Sequence, residues 1–126
     1  MKIEHIAIWV NDLELMRTFY TKYFNSKANS LYHNEAKQFE SYFITFETGA
    51  RFELMRKKGI ENELNLNITG YAHMAFPVGS EERVNEITTI FKDAGYPLLN
   101  GPRFTGDGYY ESVISDPEGN QIEIMI

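Results

Sequence analysis

The sequence predicts an α+β fold built from two copies of one unit, each a strand, a helix and three further strands. Three observations carry this expectation. HIAIWV at residues 5–10 returns as HMAFPV at 73–78, a histidine opening an apolar strand both times, and a helix-like run follows each. Each half closes on a carboxylate set among apolar residues, RFELM at 51–55 and QIEIMI at 121–126. The separation of His5 from Glu53 matches that of His73 from Glu123 to within two residues.

In the first half, residues 2–10 alternate, with Ile6, Ile8 and Val10 on one face and His5, Ala7 and Trp9 on the other. Asn11 and Asp12 suit the cap of a helix whose apolar stripe is Leu15, Met16, Phe19, Tyr20, Tyr23 and Phe24. The polar stretch Asn25 to Asn34 predicts a short strand near Lys27 to Tyr32. YFITFE at 42–47 is rich in strand formers, and Thr48-Gly49 marks a tight turn into RFELM. RKKGIENELNLNIT at 56–69 lacks periodicity and reads as the joint between the halves.

The second half repeats the order. After the strand at 71–78, Ser80 caps a helix with Glu81 and Glu82 in its first turn, where the dipole favours them. Val84, Ile87, Ile90, Phe91 and Ala94 form its predicted buried stripe, and Gly95 stops it. A strand is expected over Tyr96 to Leu99, a loop over Asn100 to Gly108 and another strand over Tyr109 to Ser115. DPEGN at 116–120 is a turn, and QIEIMI ends the chain.

Neither half alone, at roughly 60 residues, would be comfortably stable, so the two are expected to share burial. The 126 residues are 43% apolar and 14% aromatic, an ordinary globular balance, and carry a net charge of −6. That sign argues against nucleic acid and favours solubility. Without cysteine there is no disulfide and no thiolate ligand. No apolar run approaches the ~18–20 residues that span a bilayer, and MKIEHIAIWV lacks the features of a signal peptide. The expected location is the cytoplasm.

Strand parity then places the chemistry. His5 leaves the face of Ile6 and Ile8, Glu53 that of Phe52 and Leu54, His73 that of Met74 and Phe76, and Glu123 that of Ile122 and Ile124. All four point away from the helix-packed side. A lone strand histidine is ordinarily a hydrogen-bonded structural residue, and a lone strand glutamate a solvated one. Their recurrence at equivalent positions in two copies points instead to a shared site. Two carboxylates gathered there would repel, and a divalent cation removes the conflict. Mixed nitrogen and oxygen ligands suit Zn²⁺, Ni²⁺, Co²⁺, Mn²⁺ or Fe²⁺, and four ligands leave a six-coordinate ion two open positions.

The whole chain resembles the vicinal oxygen chelate superfamily of glyoxalases, bleomycin-resistance proteins and ring-cleaving dioxygenases. The resemblance runs through HIAIWVNDLELMRTFYTKYF, GARFELM and GYAHMAFPV, and is most specific in SDPEGNQIEI. It implies one glyoxalase-like domain over residues 1–126: two βαβββ units, about 1–56 and 70–126, joined by a linker at about 57–69. Such units form a cupped, mostly antiparallel mixed β-sheet with the helices outside. His5, Glu53, His73 and Glu123 match the four metal ligands of the glyoxalase I type. That type typically has Arg where Trp9 stands and Asn near Lys57, both of which help hold glutathione, so these departures argue against lactoylglutathione lyase activity. The resulting expectation is a metal-dependent lyase or isomerase acting on a small oxygen-bearing substrate. Glu53 or Glu123 would be the catalytic base, and Trp9, Arg51 and Met55 would line the substrate pocket. The alternatives are an Fe²⁺ oxygenase using two His and one carboxylate, and a non-catalytic protein that sequesters a small aromatic or antibiotic-like ligand. A homodimer is expected, with no nucleic-acid or membrane partner.

Overall fold

The computed structural model describes residues 2–60 and 69–126. The chain divides into two compact units, Met1–Glu63 and Leu64–Ile126. The expected linker falls mostly at 61–68, outside the described residues.

Unit one runs β1 (His5–Trp9), α1 (Leu13–Tyr23), β2 (Lys27–Ala28), β3 (Tyr32–Asn34), a short 3₁₀ turn (Glu35–Lys37), β4 (Phe39–Thr45) and β5 (Arg51–Lys57). The helix starts where Asp12 Oδ1 accepts from the Leu15 N–H at 2.9 Å. The sheet has the order β1-β5-β4-β2, with β3 pairing on β4. Only the β1–β5 contact is parallel. The single strand expected between α1 and β4 is two short ones, β2 and β3. Both pair with β4, because the turn formers at 29–31 break the segment without removing it from the sheet. Ile44, Phe52 and Leu54 meet Met16, Phe19 and Tyr20 of α1 in a core where none is more than 3% exposed. Leu15, expected in the stripe, is 45% exposed, and Leu13 is buried in its stead. Leu13 stands three residues before Met16, in step with Phe19 and Tyr20, whereas Leu15 falls beside that stripe.

Unit two runs β6 (His73–Pro77), α2 (Glu81–Asp93), β7 (Leu98–Phe104), β8 (Tyr110–Ser115) and β9 (Gln121–Met125), in sheet order β6-β9-β8-β7. Again only the pairing of first strand with last is parallel. Ser80 Oγ accepts from the Arg83 N–H. Gly95, at φ +86°, closes the helix through a hydrogen bond from the Tyr96 N–H to the Phe91 carbonyl. The buried helix residues are Val84, Thr88 and Phe91, whereas Ile90 lies 45% exposed. Thr88 is stable inside because its hydroxyl bonds both the Val84 carbonyl and Ser112 Oγ, each at 2.6 Å.

The loop expected over Asn100 to Gly108 is instead largely strand, since β7 continues to Phe104 through two shifts of register against β8. Gly101 explains how: its φ is +79°, and a Cβ there would lie 2.5 Å from the Glu111 carbonyl oxygen. The cis-bonded Pro102 that follows is tolerated because β7 is the sheet edge. The turn before β9 is set by Asp116, 2% exposed, whose carboxylate accepts from the Glu118 N–H, the Asn120 N–H and Asn120 Nδ2 at 2.8–2.9 Å. Among the described residues no helix is long and apolar enough to cross a membrane.

Candidate metal-binding site: two His–Glu pairs

The two units place their histidine and glutamate by the same register. In β1 against β5, Ala7 stands opposite Glu53; in β6 against β9, Ala75 stands opposite Glu123. The histidine is two residues earlier in each first strand, and so lies on the same face as the glutamate, one diagonal step away. The opposite parity carries Phe52, Leu54, Ile122 and Ile124, all buried. Burying those apolar side chains against the helices therefore turns His5, Glu53, His73 and Glu123 outward from the helix-packed face. Alternation along four strands is enough to orient all four side chains.

Within unit one, His5 Nε2 faces Glu53 Oε2 at 3.9 Å; within unit two, His73 Nε2 faces Glu123 Oε2 at 3.3 Å. The imidazoles are 42% and 43% exposed and the carboxylates 13% and 18%. Two donors bound side by side on one ion, each at about 2.0–2.2 Å, stand roughly 3–3.5 Å apart; the His73–Glu123 pair falls within that span, and the His5–Glu53 pair stands wider, at 3.9 Å. Among the described residues no group of three or more potential ligands comes together.

His5 has a further partner, Glu4, that the sequence pattern did not disclose. Its Nδ1 lies 2.5 Å from Glu4 Oε2. Glu4 in turn is ion-paired with Arg51, whose Nε donates to Oε1 at 2.7 Å. The hydrogen bond from His5, then the Arg51 guanidinium, hold the Glu4 carboxyl below the usual glutamate range. An ionised carboxylate only accepts, so the proton of a neutral His5 sits on Nδ1 and the Nε2 lone pair is presented to Glu53. Phe43 fixes the assembly from below, its ring 5.3 Å from the His5 ring and 4.1 Å from the Arg51 guanidinium carbon. The one available clue in the sequence was opposite charge at Glu4 and Arg51, which becomes informative once β1 is known to pair with β5.

Of the residues named for the substrate, Trp9 and Met55 are register partners on the His5–Glu53 face, while Arg51 is engaged by Glu4 and Phe43. In unit two the pairing of β8 with β9 defines its parity. Tyr110 turns toward α2, donating to Asn85 Oδ1 at 2.9 Å. Glu111 shares the face of Glu123, since Val113 is paired with Glu123 and Glu111 with Met125. Arg103 Nη2 stands 3.7 Å from Glu111 Oε1. Burial, followed by the charge of Glu123, raises the Glu111 carboxyl above the ordinary range. His33 is exposed and lines a polar recess of about 330 Å³ with Glu40 and Arg56. The row His33, Glu40, Arg56 has the parity of the helix-facing side, not that of the pair.

The profile of the Glyoxalase/Bleomycin resistance protein/Dioxygenase superfamily matches residues 2–124. The chain belongs to this superfamily. No curated protein matches the sequence. Among solved structures, this superfamily member is similar to a possible glyoxalase from Bacillus cereus, at 26% identity and a TM-score of 0.74, over 100% of this chain and 99% of that one. It also resembles the trypanothione-dependent glyoxalase I of Leishmania major, at 20% identity and a TM-score of 0.80, over 99% and 86% of the two chains. A glyoxylase/bleomycin resistance protein/dioxygenase domain from Frankia sp. EAN1pec gives a TM-score of 0.85 at 16% identity, over 100% and 97%. The mixed α+β architecture of this glyoxalase-superfamily chain, two sheets of mixed strands with one helix each, is the fold of those neighbours.

Proposed function

We propose that this chain is a divalent-metal-dependent lyase or isomerase, in which His5, Glu53, His73 and Glu123, from one chain or from two copies of it, serve a single ion. The observation that carries the proposal is the repetition of one His–Glu pair at the same strand register in both units. When bound, the ion supplies stabilisation for negative charge developing on a substrate oxygen. The chain's own residues supply position and proton movement. Glu4 holds the His5 ring by Nδ1, which aims Nε2 and fixes its tautomer. Glu53 or Glu123 takes a proton from the carbon beside the substrate carbonyl through a carboxylate oxygen and returns it to the neighbouring carbon.

Proton transfer next to a carbonyl leaves an isotopic record. Incubated in D₂O under strict anaerobiosis with a panel of 2-hydroxy ketones and 2-oxo acids, the Co²⁺- or Ni²⁺-loaded protein should place deuterium on the carbon beside the carbonyl. The metal-free protein and the Glu53→Gln and Glu123→Gln variants should do so far more slowly. Turnover that requires oxygen would replace this reading with an oxygenase, and ligand binding indifferent to metal would replace it with a sequestering protein.

Glu4 gives a test of the unit-one half. Glu4→Gln keeps an oxygen for His5 Nδ1–H but loses the charge and the Arg51 ion pair, so metal affinity should fall about 10-fold, at the lower end of such outer partners. Competition with a chromophoric chelator measures it. Unchanged affinity would show that Glu4 does not orient the ligand.

A further inference from the structure

The face that carries His5 and Glu53 does not end at the pair. Along β5 it continues to Met55, whose register partners are Trp9 on β1 and Ser41 on β4; Ser41 is opposite Tyr32 on β3, and Phe39 lies two residues before Ser41. The rings meet above the strands: Trp9 and Phe39 have centroids 6.2 Å apart at 88°, and Tyr32 and Phe39 6.0 Å apart at 61°. Trp9 is 46% exposed and Tyr32 51%, and Phe39 is half-buried between them. This is a corner of ring faces and ring edges, floored by a methionine, with the exposed Lys57 paired to Phe39 on the same face.

We infer that Trp9, Phe39 and Tyr32 seat the aromatic ring of the substrate, so that the ligand class is an aryl-substituted compound with its chelating oxygens directed at the His5–Glu53 pair. The perpendicular Trp9–Phe39 arrangement takes a flat group stacked on one ring and edge-on to the other, geometry that selects a ring over an alkyl chain. Distance selects the attachment. Met55 lies two residues from Glu53, about 7 Å along the strand, which is the span of a two-oxygen chelating group together with the ring it carries. A ligand that reaches both is a single small molecule. The inference rests on the proposed metal site for the oxygen end only; the aromatic end stands on the ring geometry.

The test compares benzohydroxamate with acetohydroxamate, two chelators that differ in phenyl against methyl, on Zn²⁺-loaded protein. Calorimetry gives the affinities, and Trp9, the single tryptophan of the chain, reports contact by fluorescence. The phenyl compound should bind at least about 10-fold tighter and change Trp9 emission. Trp9→Ala and Phe39→Ala should remove that preference while leaving acetohydroxamate affinity as it was and circular dichroism unchanged. Equal affinities in the unmodified protein, or a preference that survives both substitutions, would overturn the inference. So would a change of molar mass in light scattering on Trp9→Ala, which would make the corner a contact between copies. If neither hydroxamate binds, the metal reading has failed and the corner is tested alone: 2-naphthol should quench Trp9 saturably in metal-free protein and lose saturation in Phe39→Ala. Absence of saturable quenching in the unmodified protein overturns it.

Discussion

His73→Ala is expected to weaken divalent-metal binding by about 1,000-fold or more, and to remove metal-dependent proton exchange with it. Outer partners of a ligating histidine are worth about 10- to 100-fold in affinity. His73 is assigned to the ion itself, one of two neutral nitrogens beside two carboxylates, and its loss should cost more. With it gone, Glu123 loses the neighbour at 3.3 Å that completes its pair. Stability should hardly move, because the His73 side chain is 43% exposed and belongs to no apolar core. Calorimetry or chelator competition gives the affinity, and thermal unfolding of the metal-free protein gives the control. A variant that keeps near-normal affinity would remove unit two from the site.

The second large effect is on stability. Phe91→Ala should cost about 3–5 kcal/mol, the usual range for emptying a buried phenylalanine site. Phe91 is 1% exposed at the end of α2, its ring 5.9 Å from that of Tyr96, and its carbonyl accepts the Tyr96 N–H where the helix closes. Small units hold only a modest surplus of stability, so that loss is a large share of the total. Urea unfolding measures it. Ile90→Ala, at the 45% exposed neighbouring position, should cost under about 1 kcal/mol. Equal losses at the two positions would mean that the helix buries a different face.

Ile90 and Phe91 also mark where reading a sequence succeeds and where it stops. Both fit a helical stripe, and periodicity alone cannot decide between overlapping stripes; the cap residue and the partner sheet decide. Thr88 escaped because its hydroxyl is satisfied by Val84 and Ser112, a pairing that depends on where β8 falls. The His–Glu pairs were legible because strand alternation and duplication are both written along the chain, so each residue's face follows from its immediate neighbours. Glu4, Tyr32 and Phe39 were not legible. Glu4 precedes β1, so the alternation expected over residues 2–10 does not extend to it. Tyr32 and Phe39 join Trp9 only through the registers of three strand pairs. The strand through Asn100 to Phe104 was hidden by Gly101 and Pro102, residues that mark loops in most sequences and here mark a bulged sheet edge.

Two histidines distant along the chain are proposed to bind the same ion, and on that the metal-dependent chemistry depends. X-ray absorption at the metal edge of Co²⁺-loaded protein counts imidazoles per ion directly. Two imidazoles per ion, with one ion per chain, and a single imidazole on whatever metal His5→Ala or His73→Ala retains, is the predicted result. One imidazole per ion with two ions per chain would contradict it, leaving each His–Glu pair a site of its own.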